Sequence, residues 1–341
     1  MENNKIDIVI IWVDGNDPEW QKEKNKYNPA KGADASIQRY RDWDLLKYWF
    51  RGIEKYAPWV NRIHFVTWGH IPKWLNTNNT KLNIVKHIDY IPAEYLPTFN
   101  ARTIDLNLHR IEGLTENFVF FNDDFYLIDN VKPTDFFTTS GVPMDSIGLN
   151  VHCPTIGNTG QFACFNDVAV INKHFNMNKC IKRDWKKWYS LKNGKLLLRT
   201  MALRSCPRFP GFYQHHIAVS YKKSTFEKVW NAEFDILDKT CRNKFRENTD
   251  VNDWVFKEWQ IAEGNFEVRS NKFGKSFFID RDGMKSIKHD ICNYIKKQKG
   301  KMIAINDGPM SNAEFDEITR LVRESFDSIL PEPSSFEISE D

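Results

Sequence analysis

The sequence predicts an α/β fold: a mainly parallel, Rossmann-like sheet flanked by helices, then an irregular basic insertion and a helical C-terminal half. Three observations carry this expectation. Through the first 130 residues, apolar runs of strand length alternate with stretches of helical periodicity, the pattern of βαβ units. Three apolar runs, Ile6 to Trp12, Phe118 to Phe121 and Met302 to Ile305, break off into polar clusters: Asp14-Gly15-Asn16-Asp17, Asn122-Asp123-Asp124 and Asn306-Asp307-Gly308. If these runs are buried strands, the clusters lie past their carboxyl ends, the edge where open α/β sheets gather ligands. That edge would carry five aspartates. Crowded carboxylates repel one another, and the usual reasons to tolerate them are a divalent cation or acid–base chemistry. The first reading is therefore an enzyme.

Taken in order, Ile6 to Trp12 is a strand with one interior polar residue, Asp7, and Asp14-Gly15 marks the turn after it. Asp42 is placed to cap a helix in which Leu45, Leu46, Trp49, Ile53 and Tyr56 follow helical spacing, until Pro58 forbids continuation. Strands follow at Ile63 to Thr67 and Leu82 to Ile88, a short helix at Ile104, Leu108 and Ile111 closes near Gly113, and Phe118 to Phe121 is the next strand. From Val131 to Phe212 the pattern loosens. Ser224 to Glu227 has the spacing of a capping box, opening a helix with Phe226, Val229, Trp230, Phe234 and Leu237 on one side. Another helix covers Val251 to Ile261. Met302 to Ile305 is the last strand, and Ser311 to Glu314 caps a final helix that stops before Pro331. This organisation divides the chain into an α/β part over residues 1–130, the basic insertion over 131–215, and a helical part over 216–341 whose final strand completes the same catalytic domain.

Bulk properties narrow the class. A chain of 341 residues is long for one compact unit, and its 41% hydrophobic and 27% charged residues are ordinary globular usage. A net charge of +3 gives no reason to expect nucleic acid. Its distribution is uneven: from Lys179 to Arg208 ten Lys or Arg face a single acid, Asp184. Six cysteines stand far apart, none in Cys-x-x-Cys spacing, which points to reduced thiols and a cytoplasmic protein rather than a zinc site. The amino terminus lacks an apolar signal region, and no stretch is long and apolar enough to span a bilayer.

The sequence contains no P-loop, no Gly-x-Gly-x-x-Gly after a strand, no His-Glu-x-x-His and no Gly-x-Ser-x-Gly. What remains is carboxylates, a few histidines and arginines, the parts for moving a phosphate or sugar group with a hard metal ion. Asn122-Asp123-Asp124 is the sharpest local signal, although an Asn-Asp-Asp turn and an Asp-Gly turn are also what an ordinary solvated loop contains. Arg39, Arg51, Arg102, Arg110 and Arg246 fall near the predicted edge. A diphosphate would want one or two guanidinium forks, while surface ion pairing suits the others. His109, His215 and His216 are candidate bases.

Four long motifs in order along the chain resemble the Stealth family of sugar-1-phosphate transferases, which includes bacterial capsular and cell-wall polysaccharide phosphotransferases and the lysosomal-enzyme N-acetylglucosamine-1-phosphotransferase. The first is Ile6-Asp7 through Trp12-Val13-Asp14-Gly15-Asn16-Asp17-Pro18. The second runs from Arg39-Tyr40-Arg41-Asp42 through Leu96-Pro97-Thr98-Phe99-Asn100 and Leu108-His109-Arg110-Ile111-Glu112-Gly113-Leu114 to Asn122-Asp123-Asp124-Phe125. The third is His216 with Lys223-Ser224 and Lys244-Phe245-Arg246, and the fourth Ile305-Asn306-Asp307 with Leu330-Pro331-Glu332-Pro333. Ala218 stands where the family commonly has Pro, and Glu247 where some members have His.

The resemblance implies a nucleotide-sugar-transferase-like sheet and a reaction in which an acceptor hydroxyl attacks the phosphorus nearest the sugar of a UDP-hexose or UDP-N-acetylhexosamine, with UMP leaving. On that basis Asp123, Asp124, His216, Arg246 and Asp307 are the expected catalytic residues. Trp12, Asp14, Asn16, Asp17, Arg39, Asn100, His109, Arg110 and Asn122 are expected to bind substrate. Asp124 and Asp307 are expected to hold Mg²⁺, with Mn²⁺ as the alternative ion. Expected partners are the UDP-sugar donor, a glycan acceptor that a lipid carrier can present, and an anionic membrane surface facing Lys179 to Arg208; the expected location is cytoplasmic, at the inner face of the membrane. Two rival readings are a metal-dependent glycosyltransferase releasing UDP and a non-catalytic carbohydrate-binding protein using the 12 tryptophans.

Overall fold

A computed structural model describes residues 5–27, 40, 42–279, 284–308 and 310–338. In chain order its strands are β1 (Ile6–Ile11), β2 (Ile63–Thr67), β3 (Leu82–Lys86), β4 (Asn117–Phe121), β5 (Phe125–Leu127), β6 (Met144–Asp145), β7 (Val219–Lys222), β8 (Glu267–Val268), β9 (Gly274–Phe278) and β10 (Met302–Asn306). The main sheet has the order β3-β2-β1-β4-β7. Its first four strands are parallel, and β7 joins β4 antiparallel. The expected α/β class is the observed one.

Period-two alternation in these strands sorts side chains onto two faces. Ile8, Ile10, Phe65, Val119 and Phe121 enter one core with the helix Leu46–Tyr56, while Val9, Val66, Phe118 and Phe120 enter a second core with the helices of the C-terminal half. Covering both faces is what a parallel sheet of β-branched and aromatic residues requires. The interior polar residue of β1 is satisfied: Asp7 accepts from Asn61 Nδ2 at 2.6 Å and the Thr115 amide at 3.0 Å, and pairs with His64 Nε2 at 3.1 Å.

β10 does not extend the main sheet. It pairs parallel with β9 and antiparallel with β5, so the third acidic cluster comes from a second, three-stranded sheet. The two sheets are joined by the chain itself, because β5 begins at the residue after Asp124. The helix Leu46–Tyr56 packs across both, and Gly52 makes this approach possible: a β-carbon there would lie 3.0 Å from the Leu127 carbonyl oxygen.

Several local expectations change. Asp42 does not cap that helix; its Oδ1 accepts instead from the Asp44 amide at 2.8 Å. β3 ends at Lys86 and continues as the helical turn His87–Tyr90. Ser224 is inside a helix that starts at Lys223, with its hydroxyl bound to Glu116, so the expected capping box is absent. The chain breaks at Glu233 into a separate helix, Phe234–Arg242. The Ser311–Glu314 capping box forms as expected. The segment 131–215, irregular to the eye in sequence, holds the helices Thr159–His174, Met177–Arg183, Trp185–Trp188 and Leu196–Ala202. The longest of them buries one face, but that face carries Thr159 and Asp167 beside Ala163, Cys164, Val168, Val170 and Ile171 while Phe165 is exposed, so the apolar stripe that makes a helix legible is blurred.

Candidate active site

The carboxyl ends of β1, β3 and β4 and the end of β10 surround one cavity of about 260 Å³. Trp12, Asn122, Asp123, Asp124, His216, Arg246 and Asp307 all line it, so seven residues from five separate stretches of chain converge. Convergence has a simple cause. The turn Asn122–Asp124 closes with the Phe125 amide donating to the Asn122 carbonyl at 3.2 Å, and the Ile305 amide donates to the Asp124 carbonyl at 3.0 Å, which registers Asp307 against the same turn.

The electrostatics among the described residues are those of carboxylates crowded in an enclosed cleft. Asp123 lines the cleft wall and is open to the solvent that fills it. Enclosure by the cleft, then repulsion from Asp42, push its carboxyl up to about 7. Burial, then Asp123, push Asp124 well above the usual carboxylate range. Among the described residues, Arg246 is the cation that lowers both. His216 sits edge-on to Phe125 at 4.9 Å, and burial, aided by Arg246 and Lys257, brings its imidazole down to about 4. At neutral pH it is an uncharged ring able to accept a proton.

Other expected site residues are placed elsewhere, each for a definable reason. Asn100 is fully buried and caps the helix Ala101–Leu106, and its amide donates to Asp250 Oδ2 at 3.0 Å. His109 packs against Phe226 and Trp230, and burial drives its imidazole down to about 3. Arg110 lies over the Trp230 ring at 5.1 Å and donates to Asn107. These three, expected to bind substrate, are held in packing and hydrogen-bond networks outside the cavity lining. Asp17 caps the helix Pro18–Lys24 through the Trp20 amide, and Asp14 Oδ1 accepts from the Asn16 amide at 2.8 Å. Asp14, Asn16 and Asp17 thus shape the loop beside the cavity rather than lining it. Gly15 lets Tyr40 close over this loop: a β-carbon there would sit 1.9 Å from the Tyr40 carbonyl oxygen. Arg39 lies outside the described residues. Of the other arginines, Arg51 is committed to Glu337 and Arg102 to Asp250. His215 is held at Ser146 and Gly274.

Sequence reasoning missed Asp42, His87, Tyr126 and Asp105 on the cavity wall. Asp105 is 7% exposed, and its Oδ1 has no hydrogen-bond partner. The available signal was an acid set among Ile104, Leu106 and Leu108, on a helix too short for its periodicity to declare a buried face.

No group of three or more His, Cys, Asp or Glu is preformed for a metal ion among the described residues. The donor set nevertheless suits Mg²⁺, a hard ion commonly bound by one or two carboxylates plus substrate phosphate rather than by an all-protein cage. Asp124 and Asp307 would hold it, and the upward push on Asp123 and Asp124, from burial first and mutual repulsion second, marks a place where a cation would stabilise the charged carboxylates.

Two family models match the chain: Stealth protein CR1, conserved region 1, over residues 4–32, and Stealth protein CR2, conserved region 2, over residues 39–145. The chain is 41% identical over 338 residues to a capsular polysaccharide phosphotransferase WcwK of Streptococcus pneumoniae, covering 98% of each. It is 39% identical to the receptor polysaccharide phosphotransferase WefC of Streptococcus oralis over 98% of this chain and all of that one. It is also 39% identical to the exopolysaccharide phosphotransferase cps2G of Lactiplantibacillus plantarum, covering 97% and 96%. A crystal structure of the galactosyltransferase LgtC with donor and acceptor sugar analogues aligns over 96% of this chain and 98% of its own at 10% identity and a TM-score of 0.39, a loose likeness. With near-complete matches at about 40% identity, the chain belongs to the Stealth family and is a phosphotransferase.

Proposed function

We propose that the protein transfers a hexose-1-phosphate or N-acetylhexosamine-1-phosphate from a UDP-sugar to a hydroxyl of a glycan acceptor, forming a phosphodiester and releasing UMP, in capsular or cell-surface polysaccharide synthesis. The observation that carries the reading is the meeting of Asp123, Asp124, Asp307, His216 and Arg246 around one cavity. The relatives are named as polysaccharide phosphotransferases, which supports the substrate class.

Phosphoryl transfer is catalysed mainly by positioning and charge stabilisation. Arg246 supplies a guanidinium for the migrating phosphate. His216, uncharged at neutral pH, takes the acceptor proton. Asp123, near neutrality in its own titration, is the alternative acceptor of that proton. Mg²⁺ held by Asp124 and Asp307 would neutralise charge on the diphosphate and leaving UMP. Trp12 offers its ring, stacked on Phe65 at 5.7 Å, as a wall of the donor site.

The test is direct. Incubation with Mg²⁺, candidate UDP-sugars and a glycan acceptor should give a phosphodiester signal by phosphorus NMR, with UMP as co-product and loss of turnover under EDTA. Release of UDP would identify the glycosyltransferase reading instead, and metal-independent glycan binding without turnover the lectin-like one.

The acceptor's location belongs to the same proposal. Trp185, Leu191, Leu198 and Met201 are exposed among the basic residues from Lys179 to Arg208, and basic segments with interfacial Trp and Leu bind acidic headgroups. Among the described residues no helix is long and apolar enough to cross a membrane. Peripheral contact with the anionic inner face, where a lipid-linked acceptor would sit, is the arrangement that these features favour. Failure to float with anionic liposomes at low salt would remove this part.

A further inference from the structure

His70 stands on the loop after β2, beside the loop that carries Trp12 into the cavity, and its side chain is 9% exposed. Its Nε2 accepts from the Asp14 amide at 2.8 Å. An imidazole nitrogen that accepts a backbone N–H has no proton of its own, so in the neutral ring the proton resides on Nδ1. That atom is 3.9 Å from Asp17 Oδ2 and has no hydrogen-bond partner. The ring meets Trp12 edge-on at 5.2 Å, and Trp68 lies at 6.0 Å. Its own backbone is fixed, since Thr67 Oγ1 donates to the His70 carbonyl at 2.8 Å. The charged and titratable groups facing it are Asp14 and Asp17 on the loop it holds and His87 at the end of β3.

We propose that His70 is a positioning residue: as the Nδ1–H tautomer it holds the Asp14 amide, fixing the loop of residues 12–17 and the Trp12 wall of the donor site, and its protonation releases that loop. The chemistry leaves little room for another outcome. A protonated ring presents N–H at Nε2, which would face the Asp14 N–H donor to donor at hydrogen-bond distance, and one of the two must move. The neighbouring carboxylates favour the charged ring while burial opposes it, and burial prevails, so the release lies on the acid side of neutrality.

The role in donor binding rests on the function proposed above; the hold on the loop does not. Two variants separate them. His70→Gln keeps an acceptor oxygen for the Asp14 amide but cannot titrate; His70→Ala removes the acceptor. Amide hydrogen exchange of the peptide covering residues 12–17 should quicken about tenfold in His70→Ala and stay near wild type in His70→Gln at neutral pH. With the UDP-sugar that the wild type uses, His70→Ala should raise the donor KM about tenfold with a much smaller change in kcat, and His70→Gln should restore it. As pH falls below the ordinary imidazole range, wild-type exchange in this peptide should rise relative to His70→Gln at the same pH, as should the wild-type donor KM. Wild-type exchange and KM in His70→Ala, or equal impairment in both variants, would overturn the proposal. Protection of the loop that depends on His70 in a protein that turns over no nucleotide sugar would instead sink the proposed function and leave the hold on the loop standing.

Discussion

Arg246 reaches the cavity from a loop pinned by one buried carboxylate, and removing that carboxylate tests how the site is held. Asp250 is fully buried and accepts from Arg102 Nη1 at 2.8 Å, Asn100 Nδ2 at 3.0 Å, Asn243 Nδ2 at 2.6 Å and the Glu247 amide at 2.9 Å. Arg102 also donates to the Glu247 carbonyl at 2.9 Å and the Thr159 carbonyl at 2.8 Å. The knot therefore ties residues 243–250 to the helices Ala101–Leu106 and Thr159–His174. Asp250→Ala strands four donors, one of them a buried cation. Breaking a buried pair from one side costs about 3–5 kcal/mol. At roughly 2 °C per kcal/mol for a chain of this size, the melting temperature should fall by about 6–10 °C. Arg102→Met in the same background should add much less than it costs alone, because the stranded charge is then gone. Activity of Asp250→Ala should fall even well below its melting temperature, since Arg246 loses its anchor. A melting temperature within about 2 °C of wild type, or strict additivity in the double variant, would refute the reasoning.

Further expectations are independent of that knot. Asp124→Asn should lower kcat/KM by at least about a hundredfold, the scale of losing one preorganised electrostatic group, while leaving the melting temperature equal or higher because it relieves repulsion with Asp123. An active Asp124→Asn would remove it from the catalytic set. Burial pushes the Asp7 carboxyl up, but hydrogen bonds from His64, Asn61 and the Thr115 amide outweigh it and hold it below the ordinary 3.8. Its contribution is thus present above that pH and lost as pH falls through the lower folded value. The stability gap between wild type and Asp7→Asn should be wide at neutral pH and close in acid unfolding below about pH 3.8; a constant gap would contradict this. His109→Leu should keep kcat/KM and cost less than about 1.5 kcal/mol, measured by denaturant unfolding, because the ring is packed among aromatics away from the cavity. A collapse of turnover with an unchanged fold would return His109 to the site.

The sequence by itself determined the sheet, because runs such as Ile6–Ile11 and Asn117–Phe121 bury both faces and can hardly be anything else. It also determined which polar clusters follow these runs, since side-chain order along a strand end is local information. Five of the cavity-lining residues, Trp12, Asn122, Asp123, Asp124 and Asp307, were legible for that reason, while His216 and Arg246 came from the family motifs. Tertiary structure decided the rest. Asn100 and Asp105 lie five residues apart on one short element, yet the first is consumed by Asp250 and the second faces the cavity. What separates them is not local: the same loop 243–250 brings Asp250 to Asn100 and Arg246 to the cavity that Asp105 faces. The helices between 159 and 202 were hidden for the same reason. The longest of them buries Asp167 and exposes Phe165, which blurs the apolar stripe, and the helix it packs against, Trp254–Glu263, lies far away in the chain. Likewise β10 reads as one more strand of a single sheet, and only its pairing with β5 and β9 shows that Asp307 reaches the cavity from a second one. Local chemistry names the groups that can act; the packing of distant segments chooses which of them meet.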